Sequence, residues 1–218
     1  MGILERWQVT PEELDEIVTA NPSLRGFMLG YVAEYKLRKL WFQDERVVGL
    51  VKYANHDRTR KGDLSFFYKG LEMSVEVKSL QTATIKKVGD EYSATFQCDA
   101  SDKRMVYLRG GESVVTTCLV VGDFDLLAVN LFALTNEWRF AFAKNRDLPR
   151  SRYRGYTPEQ RDQLLATLMK IKWPLESPFY AELYQLLDEI VQEGRPPGAI
   201  VVGDNEPPPE ETTGQRKA

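Results

Sequence analysis

Two carboxylates and a lysine on one predicted β-hairpin have the types and spacing to act at a metal ion. The hairpin covers residues 63–79, and Lys69-Gly70 has the composition of its two-residue turn. The numbers of facing residues in an antiparallel pair around that turn sum to 139. This register places only apolar pairs on one face: Leu64 with Val75, Phe66 with Met73, and Tyr68 with Leu71. We expect that face to lie on the core.

The opposite face of the same hairpin carries the charges. Asp63 faces Glu76, and Lys78 follows two residues later on the same side of its strand. Directly opposed side chains have Cβ atoms about 5 Å apart, where like charges repel. A divalent cation with oxygen ligands would offset this repulsion, and Lys78 would contact whatever the cation binds.

The alternative is a solvated strand face on which these charges form surface ion pairs. Val75 and Val77 argue against it, because an apolar strand flanked by further strands is expected to be central in a sheet with both faces covered. Charges at such a position are costly unless they are functional.

This arrangement resembles the PD-(D/E)XK nuclease superfamily, which has the restriction-endonuclease-like fold. The matching residues are Asp63, then twelve residues, then Glu76-Val77-Lys78, after a predicted helix that carries Glu34. Gly62 stands where the family motif has proline. The resemblance covers roughly residues 24–143 and implies a core of helix, three-stranded meander, helix and strand.

The resemblance implies a role for each matching residue. Asp63 and Glu76 would bind Mg²⁺, for which Mn²⁺ could substitute, together with the backbone carbonyl of Val77. Glu34 would join through the metal's water or a second ion. Lys78 would position or deprotonate the attacking water. The expected reaction is hydrolysis of a phosphodiester bond.

The expected function is therefore that of a Mg²⁺-dependent endonuclease acting on DNA, with restriction or another defence system as its setting. Two alternatives stay open. One is a catalytically idle nuclease-fold protein that binds nucleic acid or serves as an assembly subunit. The other is a nuclease for RNA or for branched or single-stranded DNA, since the phosphodiester is common to all these substrates. A second copy of the chain or a targeting protein would be a further partner.

The distribution of charge agrees with a nucleic-acid partner. The formal net charge is −3, yet residues 21–174 carry 25 Lys and Arg against 18 Asp and Glu. A basic stretch before Asp63 and an arginine-rich stretch with interleaved aromatic residues both suit phosphate contacts. The residues expected to contact nucleic acid are Arg58, Arg60, Lys61, Gln81, Arg150, Arg152 and Arg154.

Periodicity and turn signals predict an α/β fold in which helices flank a central mixed sheet with an antiparallel meander. Predicted strands cover residues 47–54, 63–68, 72–79, 82–87, 92–98, 125–131 and 138–143. Predicted helices cover residues 10–19 and 24–42, with Phe27, Tyr31 and Tyr35 on the inward stripe of the second, and two extra C-terminal helices cover 158–172 and 178–194. The family's second core helix should fall within 99–122, where residues 114–119 fit either a strand or a short helix.

Length and composition favour one nuclease-like domain at residues 1–203, with a disordered, acidic and proline-rich tail at 204–218. No apolar run approaches the ~18 residues of a membrane helix, and the start lacks a signal-peptide layout, so we expect a cytoplasmic protein without a membrane span. A single histidine, His56, and two cysteines exclude a Cys/His zinc site and a redox pair. Cys98 and Cys118 are expected to be buried apolar residues.

Overall fold

The computed structural model describes residues 1–52, 62–194 and 200–201. The described helices are Ile3–Trp7 (α1), Pro11–Ala20 (α2), Pro22–Trp41 (α3), Phe132–Thr135 (α4), Pro158–Gln163 (α5) and Leu183–Glu193 (α6). The described strands are Val47–Lys52 (β1), Leu64–Tyr68 (β2), Leu71–Ser79 (β3), Lys86–Val88 (β4), Glu91–Gln97 (β5), Asp99–Tyr107 (β6), Ser113–Cys118 (β7), Leu126–Asn130 (β8), Phe140–Lys144 (β9), Leu168–Trp173 (β10) and Ile200–Val201 (β11). Among these helices, none has the length and apolar character needed to cross a membrane.

The central sheet has five strands in the order β1-β2-β3-β8-β9. The strands β1, β2 and β3 form an antiparallel meander, β8 joins β3 in parallel, and β9 pairs with β8 in antiparallel fashion. The predicted α/β class with a mixed central sheet is confirmed. The strand that carries Glu76 and Lys78 is the middle strand of the five.

The β2–β3 hairpin has the predicted register. Leu64 pairs with Val75, Phe66 with Met73 and Tyr68 with Leu71. Lys69 and Gly70 both have positive φ, 50° and 80°, as a two-residue turn of this kind requires. The apolar face is fully buried at Leu64, Phe66, Tyr68, Met73 and Val75, each with 0% exposure.

Both faces of the central sheet are covered. One face packs against α3 and α6, where Leu37 and Leu186 join the cluster that contains Phe66 and Phe142. The other packs against a three-stranded sheet of order β10-β5-β4, where Phe96 and Met169 meet Leu127 and Val129. Glu76 and Lys78 on β3 therefore lie between packed layers, where charges are costly unless paired or functional. The second layer also encloses Cys98, which is buried as predicted, and so is Cys118.

The connection from β3 to β8 contains strands where the family resemblance places a helix. Within residues 99–122, Asp99–Tyr107 and Ser113–Cys118 form the β6–β7 hairpin, which settles the open choice for 114–119 in favour of a strand. Alternating burial along Ser113–Cys118 and its β-branched residues explain the preference. The prediction of a second core helix within 99–122 is therefore wrong.

The predicted helix at 158–172 is also wrong beyond its first turns. The helix α5 ends at Gln163, and Leu168–Trp173 is a strand that pairs with β5 along its whole length. Met169 and Ile171 are buried while Lys170 and Lys172 are exposed, which is the two-residue period of a half-buried strand. Tertiary pairing here outweighs the helical propensity of Leu, Met and Lys. The last helix begins at Leu183 rather than at 178.

The predicted inward stripe of α3 lies on its outer side. Phe27, Tyr31 and Tyr35 are 71%, 50% and 55% exposed, whereas Ala33 and Leu37 are fully buried. The two buried residues are four positions apart and lie about 140° around the helix axis from the aromatic stripe, at 3.6 residues per turn. A smaller apolar face therefore contacts the sheet. Side-chain size was therefore a misleading guide to which face packs.

The packing of α3 predicts unequal effects of two truncations on this helix. Leu37→Ala should lower the free energy of unfolding by about 2–5 kcal/mol, because it leaves a cavity in the core. Tyr35→Ala should change it by less than about 0.5 kcal/mol, because that ring is mostly exposed. Urea unfolding of the two variants beside the wild type measures both values. A larger loss for Tyr35→Ala would mean that the aromatic stripe packs inward after all.

Candidate active site

Asp63 is positioned by a close approach of the chain to β3. The Asp63 backbone N–H donates to the carbonyl of Val75 at 2.8 Å, and the Val77 N–H donates to Asp63 Oδ2 at 2.7 Å. Gly62 makes the approach possible, because it has φ +76° and a Cβ there would lie 2.9 Å from the Val75 carbonyl oxygen. Proline, which the family motif has at this place, could not adopt that φ. The side chain of Asp63 is thereby held over the start of the Glu76-Val77-Lys78 segment.

Glu76 and Lys78 form an ion pair on the same face of β3. The Lys78 Nζ lies 2.7 Å from Glu76 Oε1 and donates a further hydrogen bond to the backbone carbonyl of Asp99 at 3.2 Å. The two side chains are only 14% and 20% exposed for Glu76 and Lys78. These charges are therefore not a solvated surface lattice, which was the alternative interpretation of this face.

Burial and the neighbouring carboxylate dominate the electrostatics of the site. Desolvation, and then the charge of Glu76, raise the pKa of Asp63 to about 8, against the opposing effects of the Val77 N–H and Lys78. Burial disfavours the Lys78 ammonium, but the charge and hydrogen bond of Glu76 and the charge of Asp63 outweigh it and hold the pKa of Lys78 above its ordinary value. Two carboxylates thus compete for one protein cation.

Glu34 on α3 faces this cluster. Its charge contributes to the raised pKa of Asp63, and its side chain is only 13% exposed. Glu34 Oε2 accepts a hydrogen bond from Lys52 at the end of β1, and the Lys52 Nζ also lies 4.7 Å from the ring centre of Tyr31. The structure therefore places Glu34 in the site and gives it its own cationic partner.

A cavity of about 860 Å³ opens above these residues. Its lining includes Glu34, Asp63, Val77 and Lys78. Glu76 does not line the cavity, but it forms an ion pair with Lys78, which does. The other walls include Phe27 on α3 and several small or polar residues, among them Ser23, Gly26, Gly30, Gln97, Asp99 and Thr117. The cavity has room for a substrate group directly over Asp63 and Lys78.

The donor set suits a cation held by two carboxylates rather than by a protein cage. Within residues 1–52 and 62–194, no three His, Cys, Asp or Glu side chains are grouped closely enough to hold a metal by themselves. Mg²⁺ usually keeps several waters and takes one or two carboxylates plus substrate oxygens. Asp63 and Glu76, buried and mutually repulsive, fit that mode of binding.

The residues expected to bind nucleic acid are spread over several surfaces. Gln81 is exposed, its Oε1 accepts a hydrogen bond from Thr95 Oγ1 at 3.2 Å, and it does not line the cavity. Arg150 donates to the carbonyls of Leu148, Arg146 and Asp162, so its guanidinium organises its own loop.

Arg152 and Arg154 are exposed. Arg58, Arg60, Lys61 and the single histidine, His56, lie outside the described residues, as does the predicted tail at 204–218.

Two contacts of the site were not predicted from the sequence: that of Lys52 with Glu34 and that of Lys78 with the Asp99 carbonyl. Lys52 pairs with Leu64 across β1 and β2, so extending the meander register by one strand would have placed it beside Asp63. The Asp99 carbonyl that holds Lys78 belongs to β6, whose position depends on long-range packing. A local pattern carries no signal for that second contact.

The chain matches no family model and no curated protein. Among solved structures it is similar to one titled as a bacterial homing endonuclease, I-Ssp6803I, with a TM-score of 0.32 and 18% identity over 65% of this chain and 87% of that chain. A similarity at this TM-score carries no argument about fold or function. The site geometry has to carry the functional conclusion.

The close approach at Gly62 predicts a position-specific effect of an added methyl group. Gly62→Ala should lower the free energy of unfolding by about 1–3 kcal/mol, because the Cβ meets the Val75 carbonyl and φ is positive. Gly26→Ala is the matched control, since a Cβ there meets nothing within 4 Å and the residue lies within α3, so stability should rise by about 0.5–1 kcal/mol. Chemical unfolding measures both. An unaffected Gly62→Ala protein would contradict the described approach of Asp63 to β3.

Proposed function

We propose that the protein is a Mg²⁺-dependent nuclease that hydrolyses phosphodiester bonds, with DNA as its substrate. The observation that carries the proposal is the cluster of Asp63, Glu76 and Lys78. Asp63 precedes β2 and is held against β3 by the Val77 N–H, where the charge of Glu76 acts on it, and Lys78 pairs with Glu76 on the same central strand beside a cavity. The resemblance of these residues to the PD-(D/E)XK pattern supports the reaction class. A setting in restriction or another defence system is proposed on that resemblance alone.

The free-energy cost of burying Asp63 beside Glu76 suggests that the two carboxylates are there for catalysis. The opposite face of the same hairpin shows that this register can be built from apolar pairs. Two opposed carboxylates between packed layers instead weaken the fold, because each must be desolvated beside a like charge. Sites that break local stability rules in this way are commonly functional.

Asp63 and Glu76 would hold the cation, with the Val77 carbonyl as a further oxygen donor and with Mn²⁺ as a substitute for Mg²⁺. Glu34 would join through the metal's water or a second ion. When bound, the cation would lower the pKa of a water molecule and neutralise charge on the phosphodiester. The Val77 N–H that donates to Asp63 keeps this carboxylate oriented toward the site.

Lys78 would orient the reacting groups. An ammonium has three N–H donors, and here Glu76 and the Asp99 carbonyl accept two of them. The third is then available to the attacking water or to a phosphate oxygen in the cavity that Lys78 lines. Holding the side chain at two points reduces the entropy lost when the substrate is engaged.

Removal of the charged groups should abolish cleavage without unfolding the protein. Asp63→Ala or Glu76→Ala should slow Mg²⁺-dependent cleavage by several orders of magnitude, and Lys78→Ala nearly as much. Stability should be unchanged or slightly raised in the two carboxylate variants, because a repulsive cluster is relieved. It should fall in Lys78→Ala, because this variant removes the cation that compensates both carboxylates. The assay is cleavage of plasmid and single-stranded substrates with Mg²⁺ and with chelator.

Glu72→Ala is the matched control for these variants, because Glu72 is a carboxylate on the same strand and face but four residues from Glu76 and exposed. It should retain wild-type cleavage. Full activity in Glu76→Ala, with host nucleases removed during purification, would rule out the proposed mechanism and favour a binding protein without catalysis.

Cation binding itself can be tested without substrate. Mg²⁺ at about 100 times its dissociation constant should stabilise the wild type by about 2.7 kcal/mol. Asp63→Ala and Glu76→Ala should lose this stabilisation, while Lys78→Ala should keep it, since the ammonium is not a metal ligand. Thermal unfolding with and without Mg²⁺ provides the measurement. If Mg²⁺ stabilises the wild type and all three variants equally, the cation binds at a site other than Asp63 and Glu76.

A further inference from the structure

The outer face of the β10-β5-β4 sheet is built differently from its inner face. The inner side chains, Ala94, Phe96, Met169 and Ile171, are buried in the core. The outer side chains alternate with them and are polar near the centre of the sheet, where Ser93 and Gln97 are exposed and Thr95 is half-buried. The outer face also carries Val88, Glu91 and Leu168. We call its remaining outer residues, Lys86, Ser93, Thr95, Gln97, Lys170 and Lys172, the basic sheet face.

Strand register places lysines on both sides of a polar row. Ser93 pairs with Lys86 on β4 and with Lys172 on β10, and Thr95 pairs with Lys170. Paired residues in antiparallel strands point to the same face, so the three ammonium groups flank Ser93 and Thr95. From Ser93 to Gln97 the row is about 14 Å long at 3.4 Å per residue.

The row leads into the proposed active site. Gln97 at its end lines the cavity over Asp63 and Lys78, and its Nε2 donates to Asp99 Oδ2 at 3.1 Å. Beyond β10, Lys170 and Lys172 also line a groove with Arg152, so the cationic surface continues away from the cavity. A ligand that lies on this face would therefore reach the site at one end.

The charges on this face are available to a ligand. Within the described part of the chain, Lys86 and Lys170 have no ion-pair partner, while Lys172 is paired with Glu176 at 2.9 Å. One acidic residue, Glu91, belongs to the sheet itself. It begins β5 and lies at the end away from Gln97. Of the three lysines, Lys170 is therefore the one nearer the cavity, and Lys86 and Lys172 lie toward Glu91.

We propose that the basic sheet face binds the sugar-phosphate backbone of a duplex that flanks the bond to be cleaved. This inference rests on the proposed nuclease function and adds the substrate class. Lysines and small hydroxyl and amide side chains are suited to phosphate contacts. Single strands are usually bound through stacking on aromatic side chains, and no aromatic side chain lies on the outer face of these three strands.

The test is the affinity of the full chain for a labelled DNA duplex in the presence of chelator, so that binding is separated from cleavage. The double variant Lys86→Glu, Lys170→Glu should bind about tenfold or more weakly, and its dependence on salt should fall by about two units of slope. Lys87→Glu is the control for the reversal at Lys86, because it makes the same single charge reversal one residue away. Lys87 pairs with Tyr92, so it points to the opposite face, with its Nζ 5.1 Å from that ring. It should bind like the wild type, and thermal unfolding should show that all variants are folded.

The outcomes separate this inference from the function on which it rests. If the protein cleaves duplex DNA and the double variant binds DNA as tightly as the wild type, the proposed role of the basic sheet face is wrong. The proposed nuclease function would be unaffected. Cleavage of single strands only would likewise overturn that role and leave the nuclease function unaffected. A wild-type protein that binds no nucleic acid would overturn both proposals. Weakened duplex binding in the double variant, with the Lys87→Glu control unaffected, supports the inference.

Discussion

The structure depends on the register between β2 and β3. Burying Leu64, Phe66, Met73 and Val75 on one face leaves only one pairing for the hairpin. That pairing begins at Leu64 and brings the preceding residue, Asp63, close enough to β3 for the charge of Glu76 to act on it. A shift by one residue would expose the apolar set, which would cost far more than the repulsion between two carboxylates. The core therefore holds in place a charged pair that the fold alone would not favour.

Local signals were sufficient for the parts of the protein that build this site. The turn at Lys69-Gly70, the alternation along both strands and the start of α3 after Asn21 all act within a few residues, so the hairpin, the mixed sheet and the helix carrying Glu34 could be predicted. The central position of β3 was expected from Val75 and Val77 and from the further strands predicted to flank it. The candidate residues Asp63, Glu76, Lys78 and Glu34 follow from these elements.

The errors arose where distant packing decides the structure. Residues 168–173 have a composition that suits a helix or a strand, and pairing with β5 decides for a strand. The β6–β7 hairpin occupies the place of an expected helix, and its first residue supplies the carbonyl that holds Lys78. The basic sheet face was equally hidden, since Lys86 and Lys170 are neighbours of one row only after β4 and β10 have paired with β5.

The central claim is that Asp63 and Glu76 stand together in order to share a cation. Anomalous diffraction from crystals of the wild-type protein soaked in Mn²⁺ tests it most directly, because it locates the ion without reference to activity. The account predicts one strong peak bonded to carboxylate oxygens of both residues at about 2.1 Å, the distance typical of small hard divalent cations. A peak held by other residues, or none at saturating Mn²⁺, would contradict the account.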